Sequence, residues 1–149
     1  MTNLSPLTAI VLAGLVAGTI DIGAASLING RDPVFISQII AGGLLGKAAL
    51  TGGMQSAALG VALQWAMSMI IAAIFVAASG WMPALRQHWA LAGIAFGVPV
   101  YFTMEYVVLP LSAWHRWPKF EIVPFAQNMA AMMVFGLIIA FFASRVGAG

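Results

Sequence analysis

Four apolar runs dominate the chain, over 7–28, 56–79, 89–111 and 124–144. Each has the ~20 residues a helix needs to cross about 30 Å of hydrocarbon. The polar positions fall between these runs or as single residues within them. The pattern predicts an all-α integral membrane protein in one domain over 1–149, with four transmembrane helices and both termini on one side. A fifth segment, 33–50, is different. Asp32-Pro33 reads as an N-cap followed by Pro at the first helical position, and Phe35, Ile36, Ile39, Ile40 and Leu44 follow at helical spacing. Gly42-Gly43, Gly46 and Gly52-Gly53 punctuate its end, and Lys47 interrupts it, so it is expected to be an interfacial or re-entrant helix. If it crossed the bilayer in full, this topology and the shared depth of the polar residues would both fail.

Composition strengthens this picture. The 149 residues are 62% hydrophobic and 7% charged, and their mean hydropathy is +1.02, which leaves too few charges for a water-covered surface. The first run is longer than a signal-peptide core, has no Lys or Arg before it and contains Asp21, so it reads as a retained helix. The net charge of +2 comes from scattered Lys and Arg residues and makes no basic patch for nucleic acid. Lipid headgroups are the expected anionic partner. Arg31, Lys47, Arg116 and Lys119 lie on the side opposite the termini, against Arg86 and Arg145 on the other, which favours termini outside the cytoplasm. Trp81 and Trp89 with Arg86, and Trp114, Arg116, Trp117 and Lys119, read as interfacial anchors.

The polar residues inside the runs carry the candidate chemistry. A charged Asp at the bilayer centre costs roughly 2.5–3.5 kcal/mol on the insertion scale, so intramembrane acids face protein or trapped water. Asp21 and Glu105 stand at similar depth from the exit ends of the first and third runs. Gln64 in the second run and Gln127 and Asn128 in the fourth fall in the same half of the bilayer. In helical projection Asp21 lies within about 20° of Gly14, which turns it toward a packed face. Pro110 leaves the carbonyl of Tyr106 without its helical donor beside Glu105, and Pro99 does the same for Ala95. Lys47 is the candidate counter-ion, with snorkelling to headgroups as the alternative.

Small residues set the expected packing. Gly14, Gly18 and Ala25 in the first helix, and Gly93 and Gly97 in the third, let helix backbones approach closely. Leu12-Ala13-Gly14-Leu15-Val16-Ala17-Gly18 is echoed by Leu91-Ala92-Gly93-Ile94-Ala95-Phe96-Gly97, either a duplicated helix pair or a coincidence in a Gly- and Ala-rich chain.

Several chemistries are set aside. No Cys is present, which excludes thiolate metal sites and disulfides. His88 and His115 fall in loops on opposite sides, so one chain builds no histidine metal cage. Met129, Met132 and Met133 read as packing, not copper ligation. No catalytic set or phosphate loop is visible, so neither an enzyme nor a cofactor is expected. Two functions are carried forward. The first is a helix-packing scaffold or accessory subunit, a homo-oligomer or the partner of another membrane protein. The alternative is a small proton- or cation-coupled transporter or channel using Asp21 and Glu105.

Three stretches carry a resemblance: Ile39-Ile40-Ala41-Gly42-Gly43-Leu44-Leu45-Gly46, Ala57-Ala58-Leu59-Gly60-Val61-Ala62-Leu63-Gln64 and Tyr106-Val107-Val108-Leu109-Pro110-Leu111-Ser112. In this order they resemble small uncharacterised bacterial inner-membrane proteins of the YagU-like type. The layout extends over about Val11 to Arg145. The resemblance implies four helices with a re-entrant or interfacial segment, in a bacterial inner membrane, and no established activity. Such proteins are expected to have a His where Gln64 stands and another near Ala131, so this chain departs from the pattern and lacks a titratable histidine pair.

Overall fold

The computed structural model describes residues 4–114 and 121–146. Among them every regular element is helical: α1 (Pro6–Asn29), α2 (Pro33–Leu45), a 3-10 segment (Gly46–Thr51), α3 (Gly53–Trp81), the short α4 (Ala84–Gln87), α5 (Trp89–Thr103), a π-helical stretch (Met104–Val108), α6 (Leu109–Leu111) and α7 (Ile122–Ser144). An isolated bridge joins Leu4 to Val146. Five helical stretches are long and apolar enough to cross a membrane: Pro6–Asn29, Pro33–Thr51, Gly53–Trp81, Trp89–Leu111 and Ile122–Ser144. The helices are apolar on most faces, and the large side chains they expose (Leu7, Ile20, Ile70, Ile74, Leu91) suit lipid and not water.

Local signals set the helix ends. The Ser5 side chain accepts from the Thr8 amide at 3.1 Å to start α1, with Pro6 in the first turn, and Gly30 closes it at φ 63°. Asp32 caps α2 by accepting from the Phe35 amide at 2.8 Å, as its sequence predicts. The helices overrun their expected bounds at several ends: α1 takes in Pro6 and Asn29, α3 extends over 53–55 and 80–81, and α7 starts at Ile122.

Antiparallel pairing of α1 with α3 decides the architecture. Gly14 meets Met69, Gly18 meets Ser68 and Trp65, and Asp21 meets Gln64, so partner numbers fall as α1 numbers rise. The segment between them therefore leaves α1 and enters α3 at the same end of the bundle. Within that segment α2 packs across α3: a Cβ on Gly60 would run into the Ser37 carbonyl, and Gln38 Nε2 donates to the Gly53 carbonyl at 3.0 Å. The α6 end closes on α2 as well, with the Ala113 amide donating to the Gly43 carbonyl at 2.8 Å.

The second hairpin repeats the first. Gly93 lies against Gly136, Leu137 and Ala140, and Gly97 against Met132 and Met133, so α5 and α7 are also antiparallel. The echoed sequence stretches thus do the same work, each bringing its helix backbone against the next long helix. A Cβ at Gly14 would stand 2.9 Å from the Met69 backbone, and one at Gly93 2.8 Å from the Gly136 carbonyl. Helix α7 packs against α1, while Ala9, Ala13, Ala17, Phe75, Phe135 and Ile139 form a core toward the end where Leu4 meets Val146. Ala25 lines cavities at the other end of the bundle.

Candidate functional site

Asp21 occupies the side of α1 between α3 and α7, at the level where the Gly-mediated contact ends and the helices part. One carboxylate oxygen, Oδ2, accepts from Gln64 Nε2 at 2.8 Å. The same amide nitrogen lies 3.5 Å from the Gly18 carbonyl, and Ser68 Oγ donates to the Gln64 carbonyl at 2.7 Å. Gln64 and Ser68 are buried, so this small polar chain is held by α1 and α3 together. Among the described residues no Lys, Arg or His forms an ion pair with Asp21. A carboxylate held by a single amide donor in apolar surroundings has unused acceptor capacity that only a cation, a proton or water can satisfy.

Three cavities converge on this carboxylate. One of about 150 Å³ has Asp21 and Glu105 on its wall together with Tyr101, Met104 and Asn128. A second, about 270 Å³, lies between α1 and α7 and includes Gln127 and Phe135. The largest, about 570 Å³, opens beneath α2 and is bounded by Asp21, Gln64, Asn29 and Arg31 with a wall of Ile36, Ile39 and Ile40. Asp21 borders all three, while Gln127 borders the second, Glu105 and Asn128 the first and Gln64 the third. Among the described residues, Asp21 and Gln64 form the hydrogen bond within this set; Asn128 Nδ2 donates to its own helix, to the Pro124 carbonyl at 2.8 Å.

Glu105 sits on backbone of a different kind. Residues Met104–Val108 form a π-helical turn in which the Leu109 amide donates to the Met104 carbonyl. Pro110 follows directly and has no N–H to continue the α pattern, which gives the widened turn its cause. Pro110 signals a disturbance in the sequence, but not its form. Tyr101 and Met104 have no such signal, and sequence reasoning missed them on the cavity wall; Arg31 entered only as a charge in a count.

Other expected roles need correction. Lys47 is exposed on the 3-10 segment, borders none of these cavities and forms no ion pair with either acid, because Gly46 turns the chain away at φ 67° before it. Trp89 is no simple lipid anchor: its ring meets Phe141 edge-on at 5.5 Å and packs on the core. Trp114 folds back over α2, with its indole N–H donating to the Ile39 carbonyl at 2.9 Å and its ring against Gly42. Trp81 is 90% exposed at the end of α3. Arg116, Trp117 and Lys119 lie outside the described residues. Gly14, Gly18, Gly93 and Gly97 are all occupied by contacts inside the chain, so they offer no free surface to a partner helix.

No protein-family model, curated protein or solved structure matches the chain.

Proposed function

We propose that the chain is a small four-span membrane carrier or channel for protons or cations, with Asp21 as its binding group and α2 as a re-entrant segment covering the site. The observation that carries this reading is the Asp21 carboxylate, bonded to one amide and open to three cavities, one of them shared with Glu105. An intramembrane acid used only as a tie between helices would be enclosed by donors; this one faces space. Antiparallel α1 and α3 support four spans over five, since α2 returns the chain to the end it came from. The resemblance to YagU-like proteins supports a bacterial inner membrane. The scaffold reading loses its main support where the glycine faces are consumed internally.

The test is flux into proteoliposomes. Asp21→Asn keeps the shape and a hydrogen-bonding group but cannot bind and release a proton. Proton flux above that of protein-free vesicles is expected in the wild type and is lost at least tenfold in Asp21→Asn, with the variant still folded and monodisperse. Equal flux in the two proteins, or no wild-type flux, overturns the carrier and leaves the scaffold.

A further inference from the structure

The cavity beneath α2 is larger and more apolar than a proton path requires. Its volume of about 570 Å³ falls in the range of small-molecule sites, which are mostly apolar with a few polar groups that fix orientation. Ile22, Ile36, Ile39, Ile40 and Met104 supply much of its wall, and Asp21 sits on it as the sole acidic group. Resting on the carrier reading, we infer that the cargo of this site is an apolar organic cation, an ammonium group on a body the size of one aromatic ring.

The chemistry of the donors argues against a dehydrated inorganic cation. Hard cations such as Ca²⁺ take six to eight oxygen ligands, and Mg²⁺ demands a near-ideal octahedron. On this wall side-chain oxygen comes only from Asp21, Asn29 and Gln64, while the isoleucines and Met104 offer none. A quaternary or alkyl ammonium ion needs only the counter-charge, and its carbon skeleton gains from the same apolar wall. The acid and the wall are complementary to the two ends of one molecule.

The position of the charges sets the direction of entry. Arg31 lies at the α2 end of the cavity, its guanidinium carbon 5.1 Å from the centre of the Phe35 ring, whereas Asp21 lies nearly three turns back along α1. Arg31 is therefore a barrier to cations at the mouth and not a second anchor. Its removal should favour cation binding. Glu105 and Tyr101 border the adjoining cavity and complete the titratable groups around Asp21.

The experiment is equilibrium binding of radiolabelled benzyltrimethylammonium to the purified full chain in detergent, with tetramethylammonium as the cation lacking an apolar body. Saturable binding is expected, at least tenfold tighter than for tetramethylammonium, lost at least tenfold in Asp21→Asn and strengthened in Arg31→Gln. Ile40→Trp, which fills the cavity, should abolish binding, and Ile40→Ala, which only enlarges it, should bind with its preference shifted to larger ring systems. Asp21-dependent flux without preference for benzyltrimethylammonium overturns the cargo and leaves the carrier. Binding that ignores Asp21→Asn is detergent-like partitioning and also overturns it. Loss of the flux itself in the wild type overturns the carrier reading.

Discussion

At the scale of the residue, glycines give the most direct tests because each is present for a different reason. A Cβ at Gly60 collides with the Ser37 carbonyl, a backbone atom that cannot rotate away. Gly60→Ala should therefore push α2 off α3 and lower stability by about 1–3 kcal/mol, the usual cost of overpacking, read as a fall in the detergent unfolding midpoint. Gly23 has nothing within 4 Å of its would-be Cβ, and Gly23→Ala should be neutral or slightly stabilising because Ala is the better helix former. Equal loss in the two variants would contradict the close approach of α2 to α3. Ser79 offers a polar counterpart: it is buried, gives its hydroxyl proton to the Val76 carbonyl at 2.8 Å and accepts from Arg86 Nε at 3.0 Å.

At the scale of the element, α2 is tied to the bundle by few bonds, and Trp114 supplies the longest-range one. Its N–H reaches the Ile39 carbonyl across 75 residues of chain, and its ring sits on Gly42, where a side chain could not fit. Trp114→Phe keeps an aromatic ring but removes the donor, a loss of about 0.5–1.5 kcal/mol for a typical hydrogen bond. Hydrogen exchange over residues 39–45 should accelerate in that variant while α5 and α7 are unchanged. The α5–α7 pair rests on Gly93 and Gly97 against Gly136 and the Met132–Met133 backbone. Gly97→Leu should separate these helices and abolish monodisperse protein, whereas Leu91→Ala, on a side chain 72% exposed, should not.

At the scale of the whole molecule, the return of the chain after α2 predicts a labelling pattern. The chain has no Cys, so single cysteines can be introduced without background. Cysteines at Arg31 and Thr51 should react with a membrane-impermeant thiol reagent from one side of sealed vesicles. A cysteine at Gln87, between α3 and α5, should react only from the other. Labelling of Arg31 and Thr51 from opposite sides would mean that 33–51 crosses the bilayer and that α1 and α3 are parallel, contrary to the Asp21–Gln64 and Gly14–Met69 contacts. The two hairpins, α1 with α3 and α5 with α7, differ chiefly in what joins their helices. The first has α2 and the 3-10 segment between its arms, and that insertion provides the roof of the largest cavity.

Much of this was legible from residues alone, because hydrophobicity and capping act locally. Runs of apolar residues marked the long helices, Asp32-Pro33 marked the start of α2, and the cost of an acid in an apolar run singled out Asp21 and turned it inward. Its pairing with Gln64 was also foreseeable, since both fall at one depth in antiparallel neighbours. What the tertiary structure decided was partnership. Lys47 and Trp114 were read from sequence as a counter-ion and a lipid anchor, yet one is turned to the exterior after Gly46 while the other is bonded to α2. Pro110 announced an irregular helix, but the form it takes, a π turn over Met104–Val108, is visible only in the fold. The glycine faces could have served a partner or the chain itself, and periodicity is the same in both cases. Only the close approach of α1 to α3 and of α5 to α7 resolved that choice, because a helix face records its need for a neighbour and not which neighbour meets it.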